Sequence, residues 1–202
     1  AVQGAFAEHA KRVQELGAEA VELRQKADVL QSYDGIILPG GESTVQGKLL
    51  KELDMFQTIQ EQIQGGMPVL ATCAGLILLA KEVANDARRC FCTLPVTVQR
   101  NAYGRQLGSF HTVAPFAGLG DIPMTFIRAP YIDDVYGEAE ILAVVDGKVV
   151  AARQGSQLAT AFHPELNDDT SVHAYFVEMI KGSKAQACLL YTSPSPRDAH
   201  ES

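Results

Sequence analysis

One cysteine, one histidine and one glutamate are spaced so that they could do thiol chemistry together. Cys73 lies in Ala71-Thr72-Cys73-Ala74-Gly75-Leu76, between an apolar run (68–72) and a helical pattern (74–82). A strand-to-helix elbow exposes its side chain at a sheet edge, and a helix N-terminus there favours a thiolate. The small neighbours Ala74 and Gly75 permit the tight turn and close approach of a substrate. On position alone Cys73 reads equally well as a buried core cysteine. His163-Pro164-Glu165 changes the balance, because it follows a second apolar run, 158–162. A histidine there can take the thiol proton and return it to a leaving group. A glutamate two residues on can hold the imidazole in the right tautomer. The combination points to a Cys73–His163–Glu165 triad. His9 and His173 fall on expected helices, His111 in a strand and His200 near the C-terminus, so they compete poorly.

Three further segments could surround such a triad. Pro39-Gly40-Gly41-Glu42-Ser43 offers backbone amides ahead of a helix, able to stabilise an oxyanion or cradle a phosphate. It lacks the lysine and spacing of a P-loop, and Ser43 is a suitable N-cap. The polar cluster 100–106 contains Arg100 and Arg105, and Phe126-Ile127-Arg128-Ala129-Pro130 closes a strand. An arginine in a crevice suits a carboxylate through a fork of two hydrogen bonds. Arg100 and Arg128 read as substrate-binding residues, whereas Arg105 serves equally as a surface charge.

The elements that must position these residues alternate along the chain. A helical repeat through Phe6, Ala10, Val13 and Leu16 stops at Gly17, and 18–23 reads as a strand. Short apolar runs at 35–38 and 68–72 read as buried parallel strands. A helix is expected over 55–64. Strands are expected at 94–99, 108–113, 124–128, 141–145, 149–153 and 157–162, with Asp146-Gly147 as a turn. A helix over 170–181 closes the pattern, with Val172, Tyr175, Phe176 and Met179 on one face. The whole implies an α/β three-layer fold, a central mostly parallel sheet with helices on both faces and an antiparallel excursion. Ligands of such sheets bind at the carboxyl ends of the strands, so loops after Leu38, Thr72 and Phe162 should line one crevice.

The 202 residues are 47% hydrophobic with a formal net charge of −7, which suits one globular domain and gives nucleic acid or an anionic membrane no basic block to bind. No apolar run reaches the ~18 residues of a membrane span, and no signal-peptide pattern opens the chain. Cys73, Cys90, Cys92 and Cys188 form neither a disulfide framework nor a structural zinc site, so a reducing cytoplasm is expected, and no metal or cofactor is. Residues 1–183 are expected to form the single domain. Residues 184–202 are expected to be a non-native or disordered tail, since the segment from Cys188 to Asp198 is similar to a translated sequencing adapter.

Together the segments 38–44, 72–76, 100–106, 126–130 and 162–166 resemble the family of pyridoxal 5′-phosphate synthase glutaminase subunits, within the class I (triad) glutamine amidotransferases. The resemblance spans Ala1 to about Lys181, and Gln3-Gly4-Ala5-Phe6 with Glu8-His9 fits the family's N-terminal segment. The Cys and His-Pro-Glu elements are shared by many class I members. Gly-Gly-Glu-Ser-Thr, Arg-Asn-x-Tyr-Gly-Arg-Gln and Phe-Ile-Arg-Ala-Pro are more specific to this subunit. The resemblance implies L-glutamine as substrate, with Cys73 as nucleophile, His163 as acid and base, and Glu165 as its orienting group. It also implies a glutamine site at Gly41, Glu42, Ser43, Arg100, Ile127 and Arg128, and an oxyanion hole from the amides of Gly41 and Ala74. Ammonia would pass to a synthase subunit in a complex of about twelve copies of each chain. Two departures stand out. Ala71 replaces a usual glycine and could crowd the elbow, and the first strand falls about seven residues short, which would remove ladder hydrogen bonds and lower stability. The rival readings are a glutaminase serving another acceptor, such as imidazole glycerol phosphate synthase, and a non-catalytic regulatory module on the same fold.

Overall fold

Three wholly buried strands form the part of the fold that matters for the site. The structure, a computed structural model, describes residues 6–100 and 109–190, with side chains to Lys184. Strands β1 (Ile36–Leu38), β2 (Val69–Thr72) and β10 (Gln157–Thr160) carry no exposed residue. Strands buried on both faces read as apolar runs, as β1 does throughout and as β2 and β10 do apart from Thr72, Gln157 and Thr160. β2 lies between the other two and is parallel to both, with Leu38 opposite Ala71 and Thr160 opposite Thr72. The carboxyl ends of all three therefore finish side by side. Backbone bonds extend the ladder past the strand ends, from Cys73 N–H to the Thr160 carbonyl at 2.8 Å and from Ile36 N–H to the Pro68 carbonyl at 2.9 Å.

The remaining strands widen this sheet. They are β3 (Ala80–Val83), β4 (Leu94–Gln99), β7 (Tyr131–Val135), β8 (Glu140–Val145) and β9 (Lys148–Gln154), giving the order β1-β2-β10-β9-β7-β4-β3, with β8 paired to β9. β3 and β4 are parallel, while pairings through β9 and β7 are antiparallel. A separate antiparallel ribbon, β5 (Ser109–Phe116) and β6 (Gly120–Ile127), runs in unbroken register from Ser109↔Ile127 to Phe116↔Gly120. Helices α3 (Ser43–Glu52), α4 (Phe56–Gln64) and α5 (Ala74–Leu79) pack as one group beside β1 and β2. α1 (Phe6–Glu15) packs on α6 (Ser171–Leu190). A four-residue helix, α2 (Lys26–Val29), precedes β1. This is the α/β layered fold that the alternation implied. Phe91, Phe116, Phe126 and Phe162 are fully buried among Ile, Leu and Val side chains, each burial contributing about 1.5–3 kcal/mol.

Several elements differ from the sequence expectation. Residues 18–23 are not a strand. Ala18, Ala20 and Glu22 are half-buried and alternate with exposed Glu19 and Val21, but only Leu23 joins a bridge. The helix expected over 74–82 stops at Leu79, and Ala80–Val83 pairs with β4 instead. β7 was not expected, and β6 starts four residues earlier than the strand foreseen at 124–128. α6 continues to Leu190, past the expected helix end at 181 and into the segment expected to be a tail.

Candidate active site

Cys73 occupies a strained turn. It follows β2 and stands at the N-cap of α5 with φ 52° and ψ −104°, a backbone conformation that costs a non-glycine residue about 1–3 kcal/mol. Its side chain makes no capping bond, so the sulfur is left facing the carbonyl of Ile127, 4.0 Å away. The turn is possible because Gly75 has no side chain. A Cβ there would lie 2.1 Å from the Leu38 carbonyl oxygen, a backbone atom that cannot yield cheaply.

His163 follows β10 and is held from three sides. Its backbone N–H donates to the Thr125 carbonyl of β6 at 2.8 Å. Its Nδ1 lies 2.6 Å from Glu165 Oε1, an ion pair that leaves Nε2 for Cys73. Gly40 packs so closely that a Cβ would come within 2.3 Å of the imidazole Cε1. Burial alone would lower the His163 pKa, but hydrogen bonds to Cys73 and Glu165, with their charges, raise it to about 10. Glu165 itself is 2% exposed, in the 3-10 turn Pro164–Leu166. The carboxylate thus favours the protonated imidazole beside the sulfur.

A cleft of about 690 Å³ opens over these groups, and its walls include all ten residues expected of the site: the triad, Gly41, Glu42, Ser43, Ala74, Arg100, Ile127 and Arg128. Parallel register brings Cys73 and His163 together. The glycine loop after β1 supplies the facing wall, anchored by Gln46 Nε2 donating to the carbonyls of Pro39 and Gly40 at 3.2 and 3.3 Å. A family model for the SNO glutamine amidotransferase family matches residues 1–182 of this sequence.

The chain belongs to the SNO glutamine amidotransferase family.

Similar proteins agree with that membership. A Desulfitobacterium hafniense protein named pyridoxal 5′-phosphate synthase subunit PdxT is 60% identical over 188 residues, covering 93% of this chain and 94% of the relative. A Streptococcus pneumoniae protein of the same name is 55% identical over 184 residues, covering 90% and 95%. Among solved structures, one described as a glutamine amidotransferase superposes with a TM-score of 0.84 at 39% identity, over 89% of this chain and 97% of that one. A putative GMP synthase subunit from Thermoplasma acidophilum, at TM-score 0.63 and 18% identity, shares the fold.

Against the family's pattern, the Ala71 substitution is accommodated. Ala71 is fully buried and keeps its register with Leu38 and Ala159. The expected cap of α3 is corrected: Glu42, not Ser43, caps the helix, its carboxylate accepting from the N–H groups of Thr44 and Val45 at 3.1 and 2.8 Å. Burial pushes the Glu42 carboxyl up, but those backbone donors and Arg100 outweigh it and hold its pKa below the ordinary value. Arg100, at the cleft wall, lies 3.6 Å from Asp86, and its buried Nε has no partner among the described residues. Arg128, like Cys73, has positive φ, 45°. Arg105 and the rest of 101–108 lie outside the described residues, as do Gln3, Gly4 and Ala5. Cys90 is a poor competitor for Cys73, because burial pushes its thiol up to about 11. Sequence reasoning missed Glu8, which reaches the cleft from α1. It also set His9 and His173 aside as helix residues, although both stand behind Glu165.

Proposed function

We propose that this chain is the glutaminase subunit of a pyridoxal 5′-phosphate synthase, hydrolysing L-glutamine to L-glutamate and ammonia. The observation that carries the reading is the 2.6 Å contact of Glu165 with His163 at the mouth of the Cys73 elbow, in a chain whose relatives are named for that synthase. Those names favour this acceptor over imidazole glycerol phosphate synthase.

The chemistry follows from the positions. The Cys73 sulfur attacks the side-chain amide carbon of glutamine while the proton of the pair rests on His163. Negative charge collects on the carbonyl oxygen, and the amides of Gly41 and Ala74 are the donors offered for it. His163 Nε2–H then protonates the leaving nitrogen, the C–N bond breaks, and ammonia departs from a γ-glutamyl thioester. Water, deprotonated by His163, attacks the thioester and releases glutamate, returning the proton to the pair. Glu165 keeps the imidazole oriented throughout. Arg100 and Arg128 are assigned to the substrate α-carboxylate, with Glu42, Ser43 and Ile127 completing the glutamine site. Ammonia passes to the synthase subunit, in a cytoplasmic complex of about twelve copies of each chain. Among the described residues no helix is long and apolar enough to cross a membrane.

The test is glutamate release with and without the synthase subunit. Activity is expected with the partner present and lost in Cys73→Ala; turnover surviving that substitution would refute the nucleophile assignment.

A further inference from the structure

Behind the triad lies a second set of buried polar groups that the reaction as derived does not use. Glu165 spends one carboxylate oxygen on His163. The other, Oε2, is buried without a hydrogen-bond partner among the described residues, and His9 Nε2 stands 3.5 Å from it. His9, on α1, has no exposed surface. Its Nε2 also lies 3.4 Å from Thr72 Oγ1 at the end of β2, and its Nδ1 lies 2.9 Å from Nε2 of His173 on α6, which is equally buried. Side chains from three separate elements, α1, β2 and α6, therefore meet at His9 beside the carboxylate.

The charge of the carboxylate favours one arrangement of protons in this set. Burial lowers the pKa of His9 well below its ordinary value, helped by the charges of His173 and His163. Burial, with Arg12, lowers that of His173 to about 4. Both rings are neutral at pH 7, so each carries one N–H. Only one proton can sit between His9 Nδ1 and His173 Nε2. If His9 donated there, its Nε2 would turn a lone pair toward the Glu165 carboxylate, which is repulsive. If His173 donates instead, His9 keeps its proton on Nε2 and offers it to Oε2. The His173 Nδ1 atom is then a bare acceptor, and it is indeed one of the buried atoms without a partner. Each member now donates toward the carboxylate: His173 to His9, His9 to Glu165 Oε2, and His163 to Glu165 Oε1.

We propose that His9 is a positioning residue for the triad: it holds Glu165 by its second oxygen, and His173 fixes the His9 tautomer that makes this possible. A carboxylate held at both oxygens cannot rotate away from His163, so the imidazole stays aligned on Cys73. The proposal rests on the triad reading above.

The experiment compares two substitutions of similar size and polarity. His9→Gln places an amide N–H where Nε2 was and still reaches Glu165. His9→Asn places its amide oxygen where Nδ1 was, accepting from His173 but not reaching Glu165. Two readouts are taken on the full chain with its synthase subunit: glutamine kcat and KM, and the pH profile of Cys73 alkylation by iodoacetamide, followed on the Cys73 peptide by mass spectrometry. His9→Asn is expected to lower kcat about tenfold or more with little change in KM and to move the onset of alkylation to higher pH. His9→Gln is expected to retain both. A merely structural His9 would lower the unfolding temperature without separating the two variants. If Asn and Gln behave alike, whether both active or both impaired, the proposal is overturned. Alkylation needs no glutamine. If it separates the variants and responds to His163→Ala while no form of the chain hydrolyses glutamine, the glutaminase reading fails and the role of His9 stands.

Discussion

Replacing Gly40 by alanine puts a methyl group where the His163 ring already lies. The new Cβ would be 2.3 Å from Cε1 and 3.0 Å from Nδ1. Gly40 does not have the positive φ that would forbid alanine, so the backbone tolerates the residue and the conflict falls on the site. Ordinary contact requires ring or loop to retreat by about 1 Å. The loop is tethered through Gln46 to the carbonyls of Pro39 and Gly40, and the ring through Nδ1 to Glu165. Whichever yields, either the imidazole leaves the Cys73 sulfur or the Gly41 amide moves relative to the substrate carbonyl. A displacement of that size costs about a hundredfold in rate, or roughly 2.7 kcal/mol of transition-state stabilisation. The assay is partner-activated glutamate release, with unfolding followed in parallel. Gly182→Ala is the control, since nothing lies within 4 Å of a Cβ at that position. Wild-type kcat in a folded Gly40→Ala protein would refute the argument that the glycine loop and His163 are mutually placed for catalysis.

Other expectations follow from the same geometry. Cys73→Gly relieves the positive φ at the elbow, so it should be inactive yet about 1 kcal/mol more stable than Cys73→Ala, measured by urea unfolding. Gly47, inside α3, would bring a Cβ only to 3.6 Å from Cys90 Sγ and 3.7 Å from Leu78. Gly47→Ala should therefore gain about 0.5–1 kcal/mol from helix propensity with unchanged turnover. Stability should fall on acidification, because the folded chain resists protonating His173 until about pH 4, while the unfolded chain takes the proton near its ordinary pKa of about 6.5. That contribution is complete above pH 6.5, falls away toward pH 4, and amounts to about 3 kcal/mol; urea midpoints at pH 7 and 4.5 that coincide would contradict it. His163 has the opposite sign. Its pKa is raised to about 10, so its contribution is full below about pH 6.5 and is lost as pH climbs through 10, a loss that His163→Gln should abolish.

The strands that carry the proposed triad were legible because they are buried on both faces. β1, β2 and β10 read as mostly apolar runs, interrupted only by Thr72, Gln157 and Thr160, that lead into Gly-Gly, Cys and His, as strands buried on both faces do. Residues 18–23 alternate as a half-buried strand would, and their burial does alternate. Alternation reports which side chains face inward, however, and says nothing about whether a ladder partner is present. Ala80-Lys81-Glu82-Val83 is made mostly of good helix formers with no breaker before it, and pairing with β4 overrides that preference. Ser43 lost the cap to Glu42 because the helix begins one residue earlier than a Ser43 cap would set it, and Glu42 reaches the N–H groups of Thr44 and Val45, a competition that residue type alone does not decide. His9 could not be found from its neighbours. It sits 63 residues from Thr72 and 164 from His173, and the packing of α1 on α6 and on the 3-10 turn Pro164–Leu166 makes it a neighbour of Glu165.

The register of β2 against β10 has a consequence for how such a chain can vary. Cys73 and His163 meet because two adjacent strands end together, and that coincidence does not depend on how much chain runs between Thr72 and Gln157. β4 and the ribbon β5–β6 belong to that intervening stretch, and from their ends come Arg100, Ile127 and Arg128. The cleft walls around the pair thus come from both sides of β2 in the chain, Gly41, Glu42 and Ser43 before it and Arg100, Ile127 and Arg128 after it. Loops of the intervening stretch can therefore change in length while the reactive pair stays in register, provided that β9 keeps its pairing with β10 and Thr125 its bond to the His163 N–H.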